Sequence, residues 1–472
     1  MKYDYNIIVI GAGSGGLVVA SGAAGLGAKV ALIEKDKMGG DCLNYGCVPS
    51  KTLLKSAHVA NSIKNSDKFG IKSTISEVDI NKVMNRVDKI IKSIEPHDSK
   101  ERYEGLGVDV YNGIGTFVDN HNVAIGDKVI SGKNIVIATG SHPFVPPISG
   151  INDVEYYTNE TIFSIDKLPK ELIVLGAGPI GCELSQAFSH LGSKVTIVDM
   201  LPALFTKDDP EVGPLMEQQF TSDGITLELS YKIMKINKVN EQIEVTLEKD
   251  GEQKTIVGDT LLVALGRKPS SSELDVEKAG VEISKRGHIN CNEKLQTNIE
   301  NIYTCGDVTG PYAFTHMASY QASIVIQNII FPLKRKVNYD NVPWVTYTKP
   351  EVAHVGFTEQ QLKEKGISFK KYFEPLKNND RAKAESDING FLKILTNNSG
   401  VVIGATMVGE KAGEQILVAN IAINKKMKVK DFTSLTIAYP TESEIYKTIG
   451  YQALKESFTP SKKNLVKRLF LS

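Results

Sequence analysis

The sequence predicts an α/β protein with two Rossmann-like dinucleotide-binding domains, followed by a smaller region that mixes strands and helices. Three observations support this fold class. A glycine fingerprint lies near the N-terminus, a second one begins at residue 176, and the last third of the chain carries strand patterns separated by turns. The 472 residues are enough for two to four domains.

Composition gives no sign of a nucleic-acid or strongly acidic partner, because Lys+Arg and Asp+Glu both total 55. The run from Ile7 to Ala28 carries no charge, but it contains seven glycines. Such a glycine content does not suit a membrane span or a signal peptide, so we interpret the run as a strand, a glycine loop and a helix. The sequence therefore predicts no membrane span, no nucleic-acid partner and a cytoplasmic location.

The first fingerprint is "YNIIVIGAGSGG", in which an apolar run precedes Gly11, Gly13 and Gly16. In this spacing the first glycine makes a tight turn, the second lets the backbone approach a pyrophosphate, and the third lets the helix pack on the strand. A second apolar run ends at Glu34, where a carboxylate at a strand tip can bind a ribose hydroxyl. These features predict a first dinucleotide site.

The second fingerprint is "ELIVLGAGPIGCE", which supplies Gly176, Gly178 and Gly181, and the following strand pattern ends at Asp199. Either glycine loop alone is explained as an ordinary tight turn, but two complete fingerprints make that explanation poor. Two dinucleotides in one chain suggest electron transfer between a bound flavin and an exchangeable nicotinamide.

The segment "GGDCLNYGCVPSK" places Cys42 and Cys47 five residues apart. On a regular helix this offset separates two side chains by about 140°, so a disulfide requires a distorted helix start. Gly46 allows such a backbone, Pro49 suits a first helical turn, and a thiol at a helix N-terminus has a lowered pKa. A zinc half-site or two inert thiols are the alternatives. The chain has no second cysteine pair to complete a zinc site, so we predict no metal site.

At this point the chain resembles the pyridine nucleotide–disulfide oxidoreductases, the family of dihydrolipoamide dehydrogenase, glutathione reductase and mercuric reductase. The motifs occur in the family's order over nearly the whole length. They include "NGIGTFVD", "IVIATGSHP", "LGRKP", "NIYTCGDV", "AFTHMASYQA" and "VPWVTYTKPEVAHVGFTE". The resemblance implies FAD and NADH as cofactors, with NADPH possible. It adds these residues to the cofactor contacts: Gly115, Thr139, Gly140, Glu183, Gly266, Asp307 and Ala318.

The resemblance also implies a mechanism. A reduced nicotinamide passes hydride to flavin N5, and the flavin reduces a Cys42–Cys47 disulfide. Cys47 lies against the flavin as the charge-transfer thiolate, and Cys42 exchanges with the substrate. Lys51 sits near flavin N5 and pairs with Glu183. The alternative is a pair of solvated helix residues, but the positions of both inside two matched motifs favour the functional interpretation.

The same resemblance implies a discontinuous FAD domain, residues 1–148 and 268–338, around an NAD(P)H domain, residues 149–267. Residues 339–472 would form an α+β dimerisation domain, so the resemblance predicts a homodimer. In this last domain "GFLKILTN" and "VVIGATMVG" read as strands joined by the turn "NNSG". The basic, apolar tail "SKKNLVKRLFLS" is better explained as a solvated helix end than as a membrane-surface or partner segment.

Glutathione reductase and dihydrolipoamide dehydrogenase carry His-Pro-x-x-x-Glu near the C-terminus, where a histidine from the partner subunit takes the proton of the substrate thiol. Here the string is "YPTESE", with Tyr439 replacing the histidine and Glu444 kept. A phenol has a pKa of about 10 against about 6.5 for imidazole, so tyrosine is a poor base at neutral pH. Mercuric reductase also has tyrosine in this region, but it ends in a cysteine pair, and here no cysteine follows Cys305.

Three hypotheses follow. The first is a mercuric-reductase-like flavoenzyme whose electron acceptor is a small molecule or metal ion rather than a disulfide. The second is a dihydrolipoamide dehydrogenase with a weakened base. The third is a flavin-binding redox sensor with little turnover, which the intact cysteine pair and both fingerprints argue against.

Two further sequence-level expectations concern the nicotinamide and the remaining cysteines. Asp199 favours NADH, because a carboxylate repels a 2′-phosphate. Cys182 and Cys305 read as buried packing residues, Cys291 has no assigned role, and His316 is a structural or catalytic candidate near the disulfide.

Overall fold

The computed structural model describes residues 2–471. Its α-helices are α1 (Ser14–Gly25), α2 (Gly40–Asn44), α3 (Cys47–Lys64), α4 (Ile80–Ile94), α5 (Lys100–Gly105), α6 (Pro179–Leu191), α7 (Val212–Ser222), α8 (Thr315–Ile330), α9 (Glu359–Glu364), α10 (Asp380–Glu385), α11 (Ala412–Asn424), α12 (Glu444–Ser457) and α13 (Pro460–Phe470).

The strands of the first half of the chain are β1 (Tyr5–Ile10), β2 (Val30–Glu34), β3 (Val108–Asn112), β4 (Gly115–Phe117), β5 (Asn122–Ile125), β6 (Lys128–Ile137), β7 (Ser141–Pro143), β8 (Glu171–Leu175), β9 (Lys194–Asp199) and β10 (Thr226–Leu229). Those of the second half are β11 (Lys232–Val239), β12 (Gln242–Lys249), β13 (Glu252–Gly258), β14 (Thr260–Val263), β15 (Arg267–Pro269), β16 (Ile302–Thr304), β17 (Pro343–Thr346), β18 (Glu351–Gly356), β19 (Lys370–Pro375), β20 (Phe391–Thr396) and β21 (Val402–Gly409).

The chain forms two compact units. The first unit runs to Asp199 and resumes at Tyr231–Asn338, and the second comprises Met200–Ser230 and the chain from Tyr339 onward. One division between the units falls after Asn338, and the domain boundaries inferred from the sequence stay predictions. The structure groups residues 200–230 with the second unit, whereas the sequence analysis places them in the nucleotide domain, so the division of the first unit into FAD and NAD(P)H domains stays a prediction.

The main sheet of the first unit has the order β3-β2-β1-β6-β5-β4, with β16 beside β6. β3, β2, β1, β6 and β16 pair in parallel, while β4, β5 and β6 pair antiparallel. Ile7, Ile8 and Val9 are fully buried, because a parallel strand covered on both faces needs a continuous apolar run rather than alternation. The carboxyl ends of β1 and β2 therefore carry the first glycine loop and Glu34.

A second parallel arrangement, β9-β8-β14, repeats this design around the second fingerprint. The two polypeptide crossings between the arrangements also meet, since β7 and β15 pair antiparallel with Arg267 opposite Pro143. The Pro- and Ser-rich stretches that mark these crossings in the sequence thus form one two-stranded ribbon. An antiparallel sheet, β11-β12-β13, completes the first unit.

The second unit contains an antiparallel sheet of order β17-β18-β21-β20-β19. β20 and β21 pair across the predicted turn, which confirms that hairpin. Lys393 of β20 is fully buried, and its ammonium lies 2.7 Å from Glu211 and 2.6 Å from Glu359. A buried ammonium requires such partners, and Glu211 comes from the 200–230 segment. This ion cluster explains why that segment belongs to the second unit.

Within residues 2–471, no helix combines the length and the apolar character needed to cross a bilayer.

Candidate active site

The first glycine loop leaves no room for side chains. Gly11 has a φ of +102°, and a Cβ there would lie 2.5 Å from the carbonyl oxygen of Ala138. A Cβ on Gly16 would lie 1.8 Å from the carbonyl oxygen of Gly11. Gly13 is the N-cap of α1, so the backbone N–H groups of the first turn begin just beyond the loop. Such a turn can hold a pyrophosphate against a helix N-terminus.

Glu34 is anchored to this loop. Its carboxylate accepts a hydrogen bond of 2.6 Å from the backbone N–H of Ala12 and one of 2.8 Å from that of Asp36. The acid therefore stands at the strand tip with a fixed orientation, in the position that the sequence predicts for a ribose partner.

The second loop repeats these features. A Cβ on Gly176 would lie 2.4 Å from the carbonyl oxygen of Ala264, and one on Gly181 would lie 1.9 Å from that of Gly176. Asp199 accepts a 2.7 Å hydrogen bond from the backbone N–H of Ala177, as Glu34 does from Ala12. A Cβ on Gly178 would meet nothing within 4 Å. The open side of this loop leaves space for a second nucleotide.

The two cysteines lie on different helices. Cys42 is in the five-residue helix α2, and Cys47 is the first residue of α3. The distorted helix start expected between them is a complete break at Tyr45 and Gly46. Cys47 is exposed and Cys42 is half-buried.

The surroundings of the two thiols give them different acidities. The pKa of Cys47 is lowered to about 6, chiefly by a hydrogen bond from Cys42 and also by Thr315 and the positive charge of Lys51, while burial and the charge of Asp41 act in the opposite direction. The same pairing, together with burial, raises the pKa of Cys42. Near neutral pH the geometry therefore holds Cys47 as the thiolate and Cys42 as the thiol that donates to it.

Thr315 is a contact that sequence reasoning missed. Its hydroxyl lies 3.4 Å from the Cys47 sulfur, at the first residue of α8. The sequence analysis singled out its neighbour His316, whose ring instead stacks on Phe314 at 5.3 Å between centroids. The resemblance correctly placed this stretch beside the cysteine pair, but a hydroxyl one residue earlier makes the contact.

The ion pair expected between Lys51 and Glu183 is present. The Lys51 ammonium lies 2.7 Å from the buried Glu183 carboxylate, which joins α3 to the helix that follows the second glycine loop. A buried carboxylate holds its cation in one place, so the positive charge stays one helical turn from Cys47.

A further polar network surrounds Arg267, which sequence reasoning also missed. Its guanidinium contacts the Asp41 carboxylate at 3.0 Å and donates to the side chain and the carbonyl of Ser141, both at 2.8 Å. Ser141 in turn donates to Asp307 at 2.6 Å. Asn159 donates to Asp41 and to the carbonyl of Tyr45. The network connects α2, which carries Cys42, to the β7–β15 ribbon and to Asp307, one of the predicted FAD contacts.

Five further residues were predicted to contact FAD, and the structure shows what surrounds each of them. The Thr139 hydroxyl is buried without a hydrogen-bond partner, and Gly140 has a φ of +67° with open space at its Cβ position. Burial raises the pKa of Asp307, and the hydrogen bond from Ser141 opposes this effect. Gly115 lies in β4, where a Cβ would press on Ile10 and Ile33. Ala318 is buried in α8 and packs near Gly15 and Gly306.

Gly40 lies where the helix that carries Cys42 meets the first glycine loop. Gly40 has a φ of +58°, and a Cβ there would lie 2.7 Å from the Cα of Gly13. Side chains are thus excluded wherever the loop and the start of α2 approach each other. Gly13 and Gly40, the unpartnered Thr139 hydroxyl and the anchored Glu34 together fit a bound FAD. Gly266 has a φ of +122°, and a Cβ there would meet nothing within 4 Å. A nicotinamide dinucleotide would fit beside this residue together with Gly178 and Asp199.

Tyr439 and Glu444 belong to the second unit. The Tyr439 side chain is 71% exposed, and its hydroxyl donates a 3.4 Å hydrogen bond to Asp380. Asp380 therefore accepts from the phenol within the same chain, and Glu444 is the first residue of α12. Between them, Glu442 is buried, and burial raises the pKa of this carboxyl group.

The other cysteines lie away from this chemistry. Cys182 and Cys305 are buried, which confirms the packing role expected of them, and Cys291 is exposed. In the range 2–471, no group of three or more His, Cys, Asp or Glu side chains is arranged to hold a metal ion.

Comparison with known proteins decides the family. Residues 5–322 match the family model for pyridine nucleotide-disulphide oxidoreductases, and residues 342–449 match the model for the dimerisation domain of the same family. The chain belongs to the pyridine nucleotide-disulphide oxidoreductases.

Curated relatives of this chain include proteins with two different activities. Mercuric reductase of Staphylococcus aureus is 34% identical over 93% of this chain and 81% of that protein. Dihydrolipoyl dehydrogenase of Geobacillus stearothermophilus is 33% identical over 93% of this chain and 94% of that protein.

Solved structures add a third relative. The HOCl-induced flavoprotein disulfide reductase RclA of Escherichia coli superposes with a TM-score of 0.85 at 27% identity, over 95% of this chain and 99% of that one. A Cu(II) complex of RclA superposes with the same TM-score at 26% identity, over 96% of this chain and all of that one.

Family membership makes the chain an FAD-dependent oxidoreductase that uses NAD(P)H and carries a dimerisation domain. When bound, FAD accepts a hydride from the nicotinamide and passes two electrons to the cysteine pair. The chain's own residues supply the rest. Cys42 keeps a proton that Cys47 lacks, Thr315 contacts the thiolate, and Glu183 fixes the Lys51 charge beside it.

Proposed function

We propose that this enzyme moves electrons from NADH through FAD and the Cys42–Cys47 pair to a thiol-binding metal ion, and that it works as a homodimer. The observation that carries the proposal is Tyr439. Disulfide-reducing members of the family use an imidazole at this place, and here an exposed phenol held by Asp380 stands instead.

The two kinds of acceptor differ in their need for protons. Reducing a disulfide to two thiols adds a proton to each product sulfur, so a positioned base and acid accelerates the exchange, typically by about 10²–10⁴-fold. Two Cu(II) ions that become Cu(I), or one Hg(II) that becomes Hg(0), take up the two electrons of NADH without any proton. The metal reaction therefore loses nothing when the imidazole is absent.

The cysteine pair supports this acceptor class. A thiolate is the ligand that soft metal ions prefer, and Cys47 is a thiolate near neutral pH while Cys42 stands next to it. The relatives named mercuric reductase and the RclA structure with Cu(II) show that the same scaffold handles such ions in other proteins.

NADH is proposed over NADPH because of the second loop. Asp199 is anchored to the Ala177 N–H at the tip of β9, where its charge repels a 2′-phosphate. The next residues, Met200 and Leu201, are exposed and uncharged, so they offer that phosphate no cation. Tyr439 and Glu444 of a second copy would complete each site.

An acceptor panel tests the proposal. Purified, FAD-loaded enzyme is assayed with NADH and with NADPH against Cu(II), Hg(II), a soluble quinone, lipoamide and glutathione disulfide. We expect turnover with a metal ion, a higher kcat/KM for NADH, and elution at twice the 51.6 kDa chain mass. Fast lipoamide turnover would instead support dihydrolipoamide dehydrogenase, the second candidate, which curated relatives at 33–34% identity favour. NADH oxidation that stops after one burst with every acceptor would identify a redox sensor.

A further inference from the structure

The helix α13 (Pro460–Phe470) differs from the other long helices of the structure, because none of its residues is buried. The amphipathic helix α4 offers a comparison, since it buries Ile80, Met84 and Val87 against the first unit. An isolated helix of this length is marginally stable in water without such packing. The apolar side of α13 thus lacks a partner within the described chain.

The side chains of α13 are sorted by type around its axis. Leu465, Val466, Leu469 and Phe470 fall within an arc of about 140° at 100° per residue. Leu469 is 60% exposed and Phe470 is 77% exposed. Lys463, Lys467 and Arg468 lie outside this arc, so the helix has one apolar side and one basic side. Lys462 lies within the arc at the N-terminal end, where its ammonium turns back to the carbonyl of Ser457 at 3.1 Å.

Charge distribution identifies the partner. The 472 residues have balanced charge, but the stretch 457–472 contains no Asp or Glu and carries four cations, Lys462, Lys463, Lys467 and Arg468. A short helix with an apolar side and a basic side matches the boundary between anionic lipid headgroups and acyl chains. A protein groove would match the apolar side alone, whereas a polyanion would match only the basic side.

We propose that α13 lies on anionic phospholipid surfaces and docks the enzyme there reversibly. Leu465, Val466, Leu469 and Phe470 enter the headgroup boundary, while Lys463, Lys467 and Arg468 contact lipid phosphates. The helix begins at a fixed point, because the Thr459 side chain caps it by accepting from the Lys462 backbone N–H. This proposal does not depend on which electron acceptor the enzyme uses.

Vesicle flotation tests the proposal with the full, FAD-loaded enzyme. The probes are vesicles of phosphatidylcholine alone and vesicles of equal parts phosphatidylcholine and phosphatidylglycerol. We expect binding to the anionic vesicles only, and release when salt rises from about 0.15 M to about 1 M, where the Debye length falls to roughly 3 Å. Each cation near such a surface changes the partition coefficient about fivefold, so the double variant Lys463→Gln/Lys467→Gln should weaken binding about 30-fold.

Two further variants separate the explanations. Lys425→Gln/Lys426→Gln removes the same charge from an exposed turn of the second unit and should leave vesicle binding unchanged. Leu469→Ser/Phe470→Ser should abolish vesicle binding while leaving the native mass in solution and NADH oxidation unchanged. The proposal is overturned if wild-type enzyme does not float with anionic vesicles, or if the two lysine double variants bind them equally. It is also overturned if Leu469→Ser/Phe470→Ser changes the oligomeric state, because α13 would then contact a second copy of the chain.

Discussion

The redox pair and the Tyr439 segment are built in opposite ways. Cys47 is surrounded by Cys42, Thr315 and Lys51, which all lower its pKa, and Glu183 fixes the lysine. Tyr439 is exposed, with one long hydrogen bond from its hydroxyl to Asp380. The first unit therefore specifies thiolate chemistry within one chain, whereas residue 439 of the second unit presents an exposed phenol in place of an imidazole. This difference is what a reductase needs if its acceptor takes electrons without protons.

The largest expected effect comes from the cysteines. Cys42→Ser and Cys47→Ser should each reduce acceptor turnover to the background, because neither variant can form or break the disulfide. Their spectra should differ. Cys42→Ser keeps the acidic Cys47 thiolate and should show long-wavelength thiolate–flavin absorbance at neutral pH, which Cys47→Ser should lack. Cys291→Ser, at an exposed thiol outside the site, is the control and should behave as wild type. Identical spectra for the Cys42 and Cys47 variants would refute the division of roles.

The second-largest effect is expected when Tyr439 is replaced by histidine. Tyr439→His should raise steady-state lipoamide turnover by as much as ~10²–10⁴-fold, the gain that a positioned base supplies. The control Tyr439→Phe removes only the weak bond to Asp380 and should leave every activity close to wild type. Stopped-flow reduction by NADH should be the same in all three proteins. A large loss of metal-ion turnover in Tyr439→Phe would show that the phenol has a direct role.

Breaking the Arg267 network should weaken the first unit. Arg267→Gln is expected to cost roughly 2 kcal/mol in the free energy of unfolding, below the ~3–5 kcal/mol of a fully buried pair because Asp41 is partly exposed. Urea titration of Arg267→Gln, Asp41→Asn and the double variant measures this cost. The double variant should be more stable than the sum of the single losses predicts, since the two side chains contact each other. Strictly additive losses would mean that the pair is not coupled in solution.

The smallest effect concerns the charge of Lys51. In the reduced enzyme, alkylation of Cys47 by iodoacetamide requires the thiolate, so the rate should be high above the pKa of about 6 and fall as pH drops below it. Lys51→Gln removes a charge that lowers this pKa, so the midpoint should move to higher pH. Lys55→Gln, an exposed lysine on the same helix, is the matched control and should leave the midpoint in place. A midpoint that is equal in all three proteins would exclude Lys51 as a cause.

The sequence predicted what lies within short motifs. Gly11, Gly176, Glu34 and Asp199 could be placed because a strand, a tight turn and a helix fix the positions of residues close in the chain. The Lys51–Glu183 ion pair could be predicted only from the family resemblance, which implies that the two motifs containing these residues meet in the fold.

Contacts between positions far apart in the chain were not predictable, even where both positions lie in quoted motifs. Arg267 reaches Ser141 because β7 and β15 pair, and its contact with Asp41 depends on where α2 packs. Thr315 was missed because a hydroxyl before a helix usually reads as a cap. Asp380 was missed because its approach to Tyr439 depends on how α10 packs. The attachment of residues 200–230 to the second unit depends on the buried Lys393, which looks like a surface residue in the sequence.

The most direct test of the central claim separates the two halves of the catalytic cycle. Enzyme that has been reduced anaerobically with one equivalent of NADH is mixed in a stopped-flow instrument with lipoamide or with Cu(II), and its reoxidation is followed by absorbance. The account predicts that reduction by NADH and reoxidation by the metal ion are both fast, while reoxidation by lipoamide is slower by ~10²-fold or more, the contribution of a missing base. Reoxidation by lipoamide as fast as reduction by NADH would contradict it.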